Sequence, residues 1–274
     1  MSSTQHAAPT ATWTETEQPF LYIRQTFAVA EADIRKLIHD PVELLTRMVQ
    51  PVLWLVIFGP VFTRTRAIPT GGLPYLDFMA PGILAQSVLF GAIFYGISLI
   101  WERDLGILQK FLVSPAPRSA LVTGRAISST VRSLSQATLV YFISFLLGVN
   151  LQLQPLPIVG VLFSVMLGSA IFSTFSLIAA CIVKSRERFM GIGQVLTMPL
   201  FFASNAIYPL SLMPAWLRAL ARVNPLTYQV DLLRALMVHG GRSIFGLGFD
   251  FGIEFTILAF LIAVATRLYP TILL

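Results

Sequence analysis

Six runs of about 20 mostly apolar residues limit this chain to a fold that closes its backbone hydrogen bonds inside lipid. They are Leu44 to Phe62, Phe78 to Trp101, Ser129 to Val149, Leu156 to Val183, Phe189 to Tyr208 and Phe249 to Tyr269. Runs of this length read as spanning helices, because a span needs roughly 20 residues to cross a hydrocarbon core about 30 Å thick. Arg47 lies near one end of the first run, where it can snorkel to the headgroups, and Pro199 breaks the fifth. Only 12% of the residues are charged, against about 25% in an ordinary soluble domain. The expected fold class is an all-α polytopic membrane protein with six transmembrane helices.

The remaining segments complete that layout. Residues 1–19 are expected to form a disordered cytosolic tail, because they lack the basic and apolar regions of a signal peptide. Residues 20–40 mix Phe20, Ile23, Phe27, Ile34 and Ile38 with Arg24, Glu31, Asp33, Arg35 and Lys36, which suits an amphipathic helix lying in the membrane interface. The six-span domain occupies 41–274. Between its fifth and sixth spans, Pro214 to Arg222 and Thr227 to His239 form two helices too short to cross and too apolar for a free loop. An external re-entrant hairpin over 209–248 fits both properties. On its second helix Val230, Leu233, Leu236 and Met237 share one face, and Asp231 and Arg234 are expected to point away from it.

With the N-terminus inside, thirteen Lys and Arg fall on the inner side and six on the outer, which orients both termini toward the cytosol. The formal net charge of +6 therefore reports membrane topology, and a nucleic-acid partner is not expected. Cys181 is the only cysteine, so no intrachain disulfide can form. No cleaved signal is expected, and delivery to the plasma or cell inner membrane follows.

The segment 101–118 carries the first functional signal. Glu102, Arg103, Asp104, Gln109 and Lys110 are too polar for lipid, while Leu105, Leu108, Phe111 and Leu112 form a helical stripe. A charged amphipathic helix held at the surface between two spans can grip a soluble partner. There is no Walker A sequence, HExxH, GxSxG or Cys/His cluster, and His6, His39 and His239 are widely separated. No catalytic, metal-binding or cofactor-binding residues are expected.

Three strings, in order, carry a resemblance. The first is Glu102-Arg103-Asp104-Leu105-Gly106-Ile107-Leu108 with Ser114-Pro115 and Arg118. The second is Tyr208-Pro209-Leu210 with Met213-Pro214 and Trp216-Leu217, and the third is Asn224-Pro225-Leu226-Thr227-Tyr228 followed by Asp231 and Arg234. Together they resemble the permease subunit of type-2 ATP-binding-cassette exporters, in particular the multidrug and daunorubicin exporters. Ile107 departs from the threonine common in that family.

The resemblance implies a non-catalytic transport subunit that dimerises with a second copy of itself and recruits two ATPase subunits, which bind ATP and Mg. It implies outward movement of a small amphiphilic or hydrophobic cargo, a drug or lipid-like metabolite. Export of a polysaccharide or glycolipid is the alternative within the family. It also assigns Glu102, Arg103, Leu105, Gly106, Leu108, Phe111 and Pro115 to ATPase coupling.

Phe201, Phe202, Asn205 and Tyr208 are candidates for the translocation path, against a plain packing role for an aromatic run. Asn224, Pro225, Asp250 and Glu254 are candidates for an outer gate. Asp250 and Glu254, four residues apart, share a helix face at the outer end of the sixth span. They face headgroup water and the basic residues Arg234 or Arg242, or Glu254 pairs with a hairpin arginine and latches the gate. A channel or secondary transporter would place ionisable groups deep in several spans, where this chain has only Gln86 as a mild polar exception.

Overall fold

A computed structural model describes residues 31, 46, 49–65, 68–105, 118–183 and 185–268. Every long element among them is helical. A π-helical turn at Trp54–Phe58 leads into α1 (Gly59–Thr65), followed by α2 (Tyr75–Asp104), α3 (Arg118–Leu146), α4 (Pro155–Ile182) and α5 (Arg186–Phe202). A 3-10 turn, Leu210–Leu212, precedes the short helices α6 (Ala215–Val223) and α7 (Pro225–Met237), and α8 (Leu247–Leu268) follows. The one β feature among the described residues is an isolated antiparallel bridge between Leu151 and Val238.

Among the described residues three helices are long and apolar enough to cross a membrane: α2 over Tyr75–Ile97, α4 and α8. The other expected spans depart from that standard for separate reasons. Val49–Arg64 is apolar but short among the described residues. Helix α3 has 29 residues, but it begins at Arg118 rather than Ser129, which brings in Arg118 and Arg125, and Arg132 and Gln136 already interrupt its apolar part. Helix α5 has 17 residues and stops at Phe202, three residues after Pro199, not at Tyr208. Pro199 has no N–H for the preceding turn, and residues 203–208 leave the helix altogether.

Helix α4 is the centre of the bundle and packs against α2, α3, α7 and α8. It can do so because small residues line it. A Cβ on Gly168 would collide with the Gln229 amide of α7, and Ser176 sits against Gly96 of α2. Between α3 and α4 a ladder of hydroxyls crosses the interface: Ser129 to Ser169 at 3.2 Å, Ser129 to Ser173 at 2.8 Å and Ser133 to Ser169 at 2.8 Å. Hydrogen bonds between helices in lipid are worth about 0.6–2 kcal/mol each, so the ladder fixes register as much as it adds stability.

Contacts at the two ends show how the helices alternate. At one end Asn150, in the α3–α4 turn, donates to Asp77 of α2 at 2.7 Å through Nδ2. In the same turn Gln152 N donates to Met237 O, and His239 N donates to Asn150 O, both at 2.8 Å. That turn is tight because Gly148 takes φ +79°, where its N–H can cap the end of α3 by donating to Phe145 O. At the opposite end, Asp104 closing α2 meets Arg186 opening α5.

Candidate functional site

Two short helices with breaks at Pro214 and at Asn224-Pro225 are present, as the sequence predicts. Pro214 caps α6, and Pro225 takes the first position of α7, where its missing N–H costs nothing. Asn224 employs its whole amide. Oδ1 accepts from Leu226 N at 3.0 Å, which caps α7, while Nδ2 donates to Leu200 O at 2.6 Å and Ala203 O at 3.0 Å. Those two carbonyls lie at the C-terminal end of α5, where helical donors have run out.

Helix α7 corrects the expectation for its polar residues. Asp231 and Arg234 do not face away from the core: they are 0% and 4% exposed. One apolar face was inferred from the period of the sequence, but α2, α4 and α8 all pack on this helix. Its polar groups are accommodated by specific partners. Arg234 donates to Asn205 O at 2.7 Å and to Phe78 O at 3.3 Å, and its guanidinium lies 3.8 Å from the centre of the Phe78 ring. Burial lowers its pKa to about 10, opposed by the charge of Asp231, so the side chain stays cationic at neutral pH.

Asp231 Oδ2 accepts from Ile244 N at 2.6 Å and Phe245 N at 3.3 Å, folding the link to α8 back over α7. Burial raises the Asp231 pKa despite these donors.

The unwound stretch after α5 is held from three sides. Besides Asn224 and Arg234, the Tyr75 hydroxyl at the start of α2 donates to Ile207 O at 3.2 Å. The path candidates divide accordingly. Phe201 is 1% exposed and packs edge-on against Trp54, whereas Phe202 is 44% exposed. Asn205 is buried, with neither amide atom hydrogen-bonded among the described residues, and the Tyr208 hydroxyl donates to Phe202 O.

Asp250 and Glu254 are both fully buried in the N-terminal part of α8. Neither sits in headgroup water. Ser243 Oγ lies 2.7 Å from Asp250 Oδ2 and 3.1 Å from Asp231 Oδ2, and its single proton can serve only one of them at a time. Both carboxylate oxygens of Glu254 lack a hydrogen-bond partner among the described residues. Among the described residues no arginine bonds to Glu254, and Arg234 donates instead to the carbonyls of Asn205 and Phe78.

Of the coupling candidates, Glu102 and Arg103 lie within the last turn of α2, and Leu105 follows it, 66% exposed. Gly106, Leu108, Phe111 and Pro115 lie outside the described residues. Sequence reasoning missed the polar interior. Gln86 lines a cavity of about 20 Å³ with Gln50, Ser87 and Gln136, room for one water molecule. Serines at four-residue spacing, Ser129 with Ser133 and Ser169 with Ser173, were the signal for the hydroxyl ladder.

A family model described as ABC-2 type transporter matches residues 24–238. A chain named as the transport permease ycf38 of Cyanophora paradoxa is 31% identical over 236 residues, 84% of this chain and 81% of the relative. The daunorubicin resistance ABC transporter permease protein DrrB1 of Streptomyces coeruleorubidus is 26% identical over 232 residues, again 84% of this chain and 81% of the relative.

Proposed function

Because the chain belongs to the ABC-2 type transporter family, we propose that it is the membrane-spanning subunit of an ATP-driven exporter for an amphiphilic or hydrophobic cargo, a drug or lipid-like metabolite. The observation that carries this reading is the extent of the family match, which runs from before the first apolar run to just past the end of α7. The cargo class rests on the daunorubicin resistance named for the Streptomyces relative. The sequence holds no Walker A motif, so ATP and Mg belong on a separate ATPase. One copy supplies half of a pathway; two copies with two ATPases complete it, in the plasma or cell inner membrane. Closure of the ATPases pushes on 101–118, and the two halves shift as bodies about the cavity between them.

Leu108→Asp tests the grip. It places a charge in the apolar stripe of the coupling segment, where a desolvated contact carries the binding. The variant is expected to insert normally, lose its co-purifying ATPase and stop exporting daunorubicin from vesicles. Export at the parent rate would remove this segment from the contact. If the parent itself purifies without an ATPase yet moves cargo, a secondary transporter becomes the better reading.

Orientation has its own measurement. Single cysteines at Ser114 and Ser211, with Cys181 replaced, are expected to react oppositely with an impermeant maleimide added to whole cells. Residue 211 is expected to label and residue 114 to stay protected. Labelling of both from outside would sink the cytosolic placement of 101–118.

A further inference from the structure

Helix α5 is gripped at both ends by polar side chains of other elements. At its start, Arg186 Nε donates to Asp104 Oδ2 at 3.0 Å and Nη2 reaches the same oxygen at 2.9 Å. The guanidinium also lies 3.9 Å from the centre of the Trp101 ring. Asp104 and Trp101 both belong to the last turn of α2, which runs directly into the coupling segment. One turn further along α5, Phe189 is 1% exposed and leans on Gly96 of α2, where a Cβ would come within 2.7 Å of its ring. At the far end, Asn224 holds the carbonyls of Leu200 and Ala203, and Arg234 holds that of Asn205. Between the grips stand about 25 Å of helix, at 1.5 Å per residue.

The clasp at Arg186 is poorly placed to serve stability. The Arg186 and Asp104 side chains are 35% and 36% exposed. An ion pair so wet contributes little to folding, typically under about 1 kcal/mol. Its geometry suits a joint instead. A guanidinium set between a carboxylate and an indole follows any displacement of that turn of α2, and the helix it opens ends in the segment that the hairpin holds.

We propose that Arg186 is a positioning residue for transport, the joint through which movement of the coupling segment enters α5 and reaches the external hairpin. The proposal rests on the permease reading above. It makes α5 a rod: pushed at Arg186, it displaces residues 203–208, and with them the hairpin helices bound through Asn224 and Arg234.

The test uses the complex of the full chain with the ATPase that co-purifies with it, in proteoliposomes. A single cysteine at Ser211, with Cys181 replaced, reports the hairpin through its rate of reaction with maleimide, with and without ATP. The parent is expected to show an ATP-dependent change in rate. In Arg186→Glu the ATPase stays bound and hydrolyses ATP, but the change shrinks at least about fivefold, the lower end of coupling between distant sites. Arg186→Lys keeps most of it, and Asp104→Arg combined with Arg186→Asp restores it. Should Arg186→Glu fail to insert, Arg186→Gln removes the ion pair while leaving the coupling segment unaltered, with the same expectation.

A parental rate change in the Arg186→Glu complex overturns the joint, and so does a swap as impaired as the single variants. A parent complex that keeps its ATPase yet shows no change at residue 211 overturns it too. A parent that holds no ATPase overturns the permease reading instead, before any Arg186 variant is made.

Discussion

Arg234→Met is expected to loosen α7 and to cost the folded chain about 3–5 kcal/mol, the scale for removing one partner from a buried charged network. The side chain is 4% exposed and supplies donors to Asn205 O and Phe78 O, which methionine cannot replace. A buried carbonyl left without its donor costs about 1–3 kcal/mol, and a charge-assisted hydrogen bond contributes about 1.5–3. Methionine regains part of this by escaping the desolvation of a guanidinium. That gain does not decide the sign, because Asp231 remains buried close by without its neighbouring cation.

Arg234→Lys should fall between the two, since an ammonium cannot fork to two carbonyls as a planar guanidinium can. Thermal unfolding of purified protein in detergent, followed by tryptophan fluorescence, measures both variants. If Arg234→Met melts with the parent, apolar packing alone holds α7 in place.

Which features were legible in the sequence follows from how far apart the causes lie. The order of long helices was legible because each apolar run carries its own signal. So were the breaks at Pro214 and at Asn224-Pro225, where cap and proline act on adjacent residues. Pro199 marked a break in the fifth run, but the anchoring of the segment after it was not legible, because Asn224 and Arg234 lie more than twenty residues downstream of the carbonyls they capture. Nor was the burial of Asp231 and Arg234, because a helical period identifies one packed face and cannot show that several elements enclose the helix.

The fate of Glu254 was misjudged for a related reason. Counting nearby arginines in the sequence ignores that Arg234 is already satisfied by backbone oxygens. The coupling stripe at Leu108 and Phe111 lies outside the described residues and rests on its sequence pattern and the family match.

Gly82→Ala brings local preference and tertiary packing into direct conflict. In an isolated helix alanine is favoured over glycine by about 1 kcal/mol, so the substitution ought to stabilise α2. In the folded chain a Cβ at Gly82 would lie 2.8 Å from both Cα and the carbonyl carbon of Ala206, against about 3.5–4.0 Å for carbons in contact. The obstacle is backbone, so no rotamer change can relieve it. That backbone is also pinned on either side, at Asn205 by Arg234 and at Ile207 by Tyr75. Relief requires moving the unwound segment off α2, which lengthens both hydrogen bonds. Overpacking alone costs about 1–3 kcal/mol, and the strained bonds add to it, so the net effect is destabilising. Gly252→Ala is the matched control: a Cβ there meets nothing within 4 Å, and the substitution is expected to be neutral or stabilising by up to about 1 kcal/mol. Thermal unfolding of the two variants beside the parent separates the effects. A Gly82→Ala chain that melts at or above the parent temperature would mean that residues 203–208 yield without resistance, and that Arg234 and Tyr75 do not fix them against α2.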